Sequence, residues 1–184
     1  MSFPGIPSLD AAVMAFIQTH FHNTVTDTVF PIITSLGEAG IGWIVLSLVL
    51  LCFKKTRRTG GLVLIAMTVT LLFGELTLKN IICRLRPCNV FTDFPMLIAR
   101  PTSYSFPSGH TSSSFAAALI LTLRHKKVGW LAYIPAVLIA FSRIFLFVHY
   151  PTDVLAGILL GTLAALLTYF AAKAIQKRQD RKST

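Results

Sequence analysis

The sequence predicts an all-α protein: a polytopic transmembrane helical bundle of about six membrane helices, its N-terminal element partly interfacial. Three observations lead there. Hydrophobic residues fill 54% of the 184 positions and charged residues only 13%, about half the ~25% charged share of a soluble domain. Mean hydropathy is +0.69. The apolar residues gather in long runs bounded by charge or turn residues, and one run, Val154–Ala172, has no charged residue. A soluble amphipathic helix would carry a polar stripe there.

The first element is Ser8–Leu36, which alternates apolar residues with His20, His22, Asn23 and Asp27, and which Pro31 interrupts in its second half. It reads as two short helices lying partly in the interface and making the sixth membrane element. His20 and His22 are interfacial polar groups on it. Gly40–Phe53, Gly60–Leu78, Thr111–Leu123, Val128–Phe147 and Val154–Ala172 follow. A spanning helix needs ~20 residues, so Gly40–Phe53 and the Ser/Ala-rich Thr111–Leu123 cross only by borrowing their flanks. Pro135 is expected to kink its span by removing one backbone N–H. Gly157 and Gly161 form a small-xxx-small pair that lets a neighbouring helix approach closely. The length suits one integral membrane domain over 1–184. The start, Met1 through Gly5, lacks the basic residues of a cleavable signal peptide and reads as retained.

Charge sets the expected topology. The net charge of +10 does not point to nucleic acid, because most basic residues fall at helix ends. Lys54, Lys55, Arg57 and Arg58 form one cluster, Arg124, Lys126 and Lys127 a second, and Lys173, Lys177, Arg178, Arg181 and Lys182 a third. Each is two spans from the next, and the positive-inside rule places all three, with the C-terminus, in the cytoplasm. The chain is thus expected in the cell (plasma) membrane. Lys79, Arg84, Arg86, Arg100 and Arg143 remain, at or near the opposite helix ends. An anionic ligand on the outer side is the simplest reason for them. Cys52, Cys83 and Cys88 match no metal-ligand spacing, and a Cys83–Cys88 pair is left open, since so short a spacing rarely suits disulfide geometry.

Three segments meet on that outer side. In the first, Lys79 and Arg86 are seven apart and would share one helix face, with Pro87 disfavouring helix at Arg86. In the second, Phe106-Pro107-Ser108-Gly109-His110 opens a helix, whose free N–H groups and positive dipole end suit an anion. Gly109 permits close backbone approach. In the third, Ser142-Arg143 precedes His149, and Asp153 lies in the first turn after Pro151, able to reach back to His149. A carboxylate on one imidazole nitrogen fixes the tautomer and leaves the other nitrogen basic.

Lys79 with six residues before Arg86-Pro87, then Pro107-Ser108-Gly109-His110, then Ser142-Arg143 with five residues before His149 and three more before Asp153, together resemble the complete three-part signature of the type 2 phosphatidic acid phosphatase superfamily. The resemblance implies roles. His149 is the nucleophile, forming a phosphohistidine, and Asp153 orients it. His110 protonates the leaving oxygen and later activates water. Lys79, Arg86, Arg143, Ser108 and the Gly109 backbone hold the phosphoryl oxygens. Opposite starting protonation states for the two histidines predict a bell-shaped pH profile.

Physical chemistry agrees with that reading. Phosphoryl transfer needs alignment and charge stabilisation above all. With seven acidic residues scattered along the chain, the carboxylate cluster of a two-metal phosphatase is not visible, so neither metal nor cofactor is expected. Glu75, four residues before Lys79, can pair with it on one helix face, either as a structural ion pair or to position the lysine. Arg84, Arg100 and Tyr104 lie by the outer loop, within reach of a second phosphate or headgroup. The resemblance implies a metal-independent hydrolase for a lipid phosphate or diphosphate at the extracytoplasmic face, with undecaprenyl diphosphate as leading substrate. Phosphatidylglycerophosphate, phosphatidic acid and lipid phosphotransfer are the alternatives. The expected partners are the lipid substrate and the bilayer, with no nucleic acid and no obligatory protein.

Overall fold

The computed structural model describes Phe3 through Lys182; Met1 and Ser2, part of the stretch read as retained, lie outside the described residues. All regular structure among the described residues is helical. Ser8–Leu36 forms two helices, α1 (Ser8–His20) and α2 (Thr24–Leu36). Asn23 starts α2 through a reciprocal cap: its side chain accepts from Val25 and Thr26 N–H while Thr26 Oγ1 accepts from Asn23 N–H. The expected interruption at Pro31 does not occur. Pro31 lies inside α2, forfeiting one ladder bond to the Asp27 carbonyl while the turns on either side persist.

A 3-10 turn, Glu38–Gly40, leads into α3 (Ile41–Cys52). Then α4 (Arg57–Thr70) widens into a π-helical segment, Leu71–Leu78, and ends in the single turn α5 (Lys79–Ile82). After α6 (Pro87–Val90) and a long loop come α7 (Gly109–Arg124), a 3-10 turn (Gly129–Ala132), α8 (Tyr133–Phe145) and α9 (Pro151–Lys182). Pro135 does not kink α8. It stands in the first helical turn, where backbone N–H groups have no intrahelical acceptor anyway.

The centre of the bundle is α7, packed on α9, α4 and α8, with Ala116, Ala117, Ala118 and Ile120 fully buried. Gly157 and Gly161 are where α9 meets it. A Cβ on Gly157 would stand 2.7 Å from the Ser108 carbonyl oxygen, and one on Gly161 would strike the Ser112 carbonyl. Trp43 Nε1 donates to Ser114 Oγ at 2.9 Å, tying α3 to α7. In α1, Asp10, Met14, Ile17 and Gln18 are buried, and Gln18 Nε2 donates to the Phe145 carbonyl at 3.0 Å. This helix is docked against α8 and α9, not merely laid on a surface.

The outer faces are apolar. Leu155, Leu159, Leu163 and Leu167, one turn apart along α9, are all exposed, the reverse of a soluble helix and the pattern of one solvated by lipid. Among the described residues two helical stretches, Arg57–Val90 and Pro151–Arg181, are long and apolar enough to cross a membrane; Thr24–Leu36 and Glu38–Cys52, bent by 45°, qualify as a third only when taken together. By that criterion the expected count of about six spans is not reached, because α7 and α8 are too short on their own. Arg58, Arg124 and Lys173 line one groove, so the basic clusters gather at one end of the bundle. Lys79, Arg86 and Arg143 belong to the other.

Candidate active site

At that second end a cavity of about 990 Å³ is lined by Lys79, Arg86, Gly109, His110, Arg143 and His149. Six of the eight residues expected to form the site thus share one chamber. Ser108 and Asp153 do not line it; both are fully buried behind it.

Lys79 and Arg86 meet there by a route other than the expected helix face. The helix ends at Ile82, and Cys83 turns left-handed with φ +50°, since Pro87 bars helix at Arg86. Arg86 is consequently extended and folds inward. Its Nε donates to the Ser103 carbonyl at 2.7 Å, its Nη2 to Ser103 Oγ at 3.0 Å, and its Nη1 to the Val148 carbonyl at 2.9 Å. Arg86 Nη1 also lies 2.9 Å from His149 Nε2. Lys79 Nζ donates to Glu75 Oε2 at 2.7 Å, as the spacing allows. The other oxygen of Glu75 rests against Gly109, where a Cβ would collide with it. Glu75 thus joins the first and second signature segments, a contact that the four-residue spacing alone did not reveal.

Arg143 closes the last turn of α8. Its Nη1 donates to Thr34 Oγ1, reaching α2, while its buried Nε has no hydrogen-bond partner among the described residues. The Arg143 carbonyl accepts from Val148 and His149 N–H, both at 3.2 Å, and this winds the 146–150 loop tightly. Phe147 takes φ +60°, a conformation that costs a non-glycine residue energy unless packing holds it. Phe94 stacks on it at 3.9 Å and Phe3 packs at 5.3 Å. The turn so fixed aims His149 into the cavity. Burial, followed by the Arg86, Arg143 and Lys79 charges, lowers the His149 pKa well below that of an ordinary histidine.

Ser108 is the N-cap of α7. Its Oγ accepts from Thr111 Oγ1 at 2.9 Å and from Thr111 N–H at 3.4 Å. Its own N–H donates to the Asp153 carbonyl at 3.1 Å. The cap occupies the hydroxyl, and the next residue, Gly109, lies at the cavity wall. Asp153 Oδ2 accepts from Tyr150 N–H at 2.9 Å and lies 3.4 Å from His149 Nδ1.

The outer-loop residues are otherwise engaged. Arg84 is not turned to the cavity: it donates 2.7 Å bonds to Asp10, Thr152 and Asp153. Arg100 touches the cavity, but its guanidinium donates to the Cys88, Thr92 and Phe94 carbonyls and so staples its own loop. Tyr104 is exposed away from it. Cys83 and Cys88 are both free, one exposed and the other buried, so they do not pair. His20 bonds the carbonyl of Phe16 and His22 pairs with Asp27, both remote from the chamber. Thr34, Ser103 and Asp10 escaped the sequence reading. Asp10 alone left a signal, as the single acid in an otherwise uncharged helix.

The chain is similar to known proteins. The chain is 39% identical over 127 residues to an undecaprenyl-diphosphatase of Sulfolobus acidocaldarius, an alignment spanning 68% of this chain and 61% of that protein, less than two thirds of its length. It is 31% identical to the undecaprenyl-diphosphatase BcrC of Bacillus subtilis, over 80% of this chain and 76% of the other. Among solved structures it resembles the transmembrane PAP2-type phosphatidylglycerolphosphate phosphatase of Bacillus subtilis, with a TM-score of 0.74 and 29% identity, covering 94% of this chain and 89% of that one. The PAP2 superfamily model matches residues 59–177, which contain every residue of the three-part signature. With that match over more than half its length, the chain belongs to the PAP2 superfamily.

Proposed function

We propose that this protein is a lipid phosphatase that hydrolyses a phosphate or diphosphate monoester of a membrane lipid, most readily undecaprenyl diphosphate, through a phosphohistidine on His149. The observation that carries this reading is the single chamber in which two histidines face three cationic side chains and a helix N-terminus. Leu64, Met67, Leu71 and Ile44 extend the chamber wall, an apolar surface suited to the start of a hydrocarbon tail. The relatives' names supply the polyprenyl diphosphate.

In this mechanism the His149 Nε2 lone pair attacks phosphorus as the bond to the leaving oxygen breaks, and His110 gives that oxygen its proton. Arg86 Nη1 passes from Nε2 to a phosphoryl oxygen. Lys79, Arg143 through its free Nε, and the Gly109 N–H take the remaining oxygen charge. Ser108 contributes through its cap, which aims that N–H. Water, deprotonated by His110, then cleaves the P–N bond and releases phosphate. The cations do the electrostatic work that metal ions do in other phosphatases. Among the described residues no three His, Cys, Asp or Glu converge on a common point.

Residues 1–184 act as one membrane domain in this reading, with six membrane elements: the α1–α2 unit, α3, α4 with α5, α7, α8 and α9. The site faces outward and the three basic clusters, with the C-terminus, face the cytoplasm. Phosphate release from undecaprenyl diphosphate, phosphatidic acid and phosphatidylglycerophosphate in excess chelator tests the chemistry. Release must persist in chelator and vanish in His149→Ala; release that survives the mutation or requires a divalent ion ends the proposal. Native cysteines test the orientation. Both Cys83, at the site end, and Cys52, at the basic end, are exposed; an impermeant maleimide added to intact cells should label Cys83 and spare Cys52.

A further inference from the structure

Three side chains outside the signature, Asp10, Arg84 and Thr152, form a partly buried network directly behind Asp153. Asp10 is fully buried in α1. Its Oδ1 accepts from Thr152 N–H at 2.9 Å, and its Oδ2 accepts from Thr152 Oγ1 and from Arg84 Nη2, each at 2.7 Å. Arg84 Nη1 donates to Asp153 Oδ1 and to Thr152 Oγ1, both at 2.7 Å, and the guanidinium lies over the Tyr150 ring, 3.8 Å from its centroid.

Two functions meet in this network. Thr152 follows Pro151, so its N–H is one of the unsatisfied donors at the start of α9. Asp10 caps α9 from another helix. Asp153, the next residue, uses Oδ2 for the Tyr150 N–H and shows the same oxygen to His149 Nδ1. Its second oxygen is held by Arg84. Both carboxylate oxygens are therefore fixed, and the carboxylate plane with them. Charge points the same way. Two carboxylates share one guanidinium, leaving net negative charge beside Nδ1, which stabilises a proton there and thereby reserves Nε2 as the lone-pair nitrogen.

We infer that Asp10 and Arg84 are positioning residues for His149, acting through Asp153, so that the N-terminal helix α1 belongs to the working site although it lies outside the matched family region. This rests on the phosphohistidine reading above. A purely structural staple between α1 and α9 predicts instead that their loss lowers stability while each folded molecule keeps its turnover.

The experiment compares full-length wild type, His149→Ala, Arg84→Ala, Arg84→Lys and Asp10→Asn in detergent, with undecaprenyl diphosphate as substrate and rates normalised to folded protein. Arg84→Ala should lower kcat by at least about tenfold with KM changed less than about twofold, and millimolar guanidinium should restore part of the loss. Asp10→Asn, which keeps the shape of the side chain, should lower kcat about fivefold at similar KM, and it carries the test if Arg84→Ala does not fold. Turnover per folded molecule equal to wild type in both, or a change confined to KM, overturns the inference while leaving the phosphatase reading intact. A wild type that releases no phosphate overturns that reading and this inference together.

Discussion

Arg86 Nη1 lies 2.9 Å from His149 Nε2, and a guanidinium has donors only, so Nε2 is the acceptor and the neutral ring carries its proton on Nδ1. That nitrogen faces Asp153 Oδ2 at 3.4 Å. The tautomer that a nucleophilic Nε2 requires is thus set by the Arg86 donor on one side of the ring, and the Asp153 charge on the other favours the same proton position.

Arg86 should tolerate no replacement. Its fork serves Ser103, Val148 and His149 simultaneously, which a point-charge ammonium cannot reproduce. Arg86→Lys should lower kcat/KM by about 10²–10³, the range for removing a transition-state donor. Phosphate-release kinetics check this, and a loss below about fivefold would remove Arg86 from the phosphoryl site.

Glu75 is one-third exposed and Lys79 nearly buried. A partly solvated pair contributes no more than about 1 kcal/mol, so Glu75→Gln should shift Tm by less than about 4 °C. Activity should fall about tenfold as Lys79 loses its fixed direction. Lost expression in place of lost activity would make the pair purely structural.

Gly109→Ala should act through the same carboxylate, because the added Cβ displaces Glu75 Oε1. The two substitutions share one contact and should be non-additive. The double variant Gly109→Ala/Glu75→Ala should be no less active than Gly109→Ala alone. A product of the two separate losses would show that Gly109 acts independently of Glu75.

Gly161 tests the α7–α9 seam. A side chain there meets the Ser112 carbonyl, which is backbone and cannot swing away, whereas Gly61 has open space around its Cβ position. Gly161→Val should cost about 1–3 kcal/mol or more, as overpacking does, and appear as a lowered Tm in detergent. Gly61→Val should melt like wild type. Equal melting of both variants would mean that the helices pack otherwise.

The lowered His149 pKa also carries a stability signature. Above the ordinary histidine value of ~6.5, the ring is neutral both folded and unfolded and exacts no penalty. As pH falls through that value the unfolded chain takes up a proton that the folded site refuses, so stability is lost on the acid side. Wild type should therefore lose more Tm between about pH 7 and pH 5 than His149→Gln. Parallel curves would mean that His149 titrates normally in the folded protein.

How legible this was differs from residue to residue. Val154–Ala172 announced a membrane-facing helix because its chemistry is local: nothing polar interrupts it. Gly157 and Gly161 announced close packing for the same reason, as did Pro151 the start of α9. Pro31 and Pro135 misled. A proline's effect depends on whether its missing N–H falls in a first turn or inside a ladder, and no local pattern fixes that register. Arg84 misled more seriously. As a loop cation beside a phosphate site it looked available, and only the fold brings Asp10, 74 residues away in sequence, to claim it.

The sequence by itself determined the helical class, the basic end of the bundle and the end that carries the signature, and the identity of the signature residues, since composition, charge placement and motif order are all properties of the chain as written. The tertiary structure decided which of those residues share a chamber and which stand behind it. Ser108 turned into a cap and Asp153 into one member of a partly buried network with Arg84 and Asp10. Those outcomes depend on hydrogen bonds between segments far apart in the chain, and a donor's partner is chosen by proximity in space, which sequence spacing does not encode.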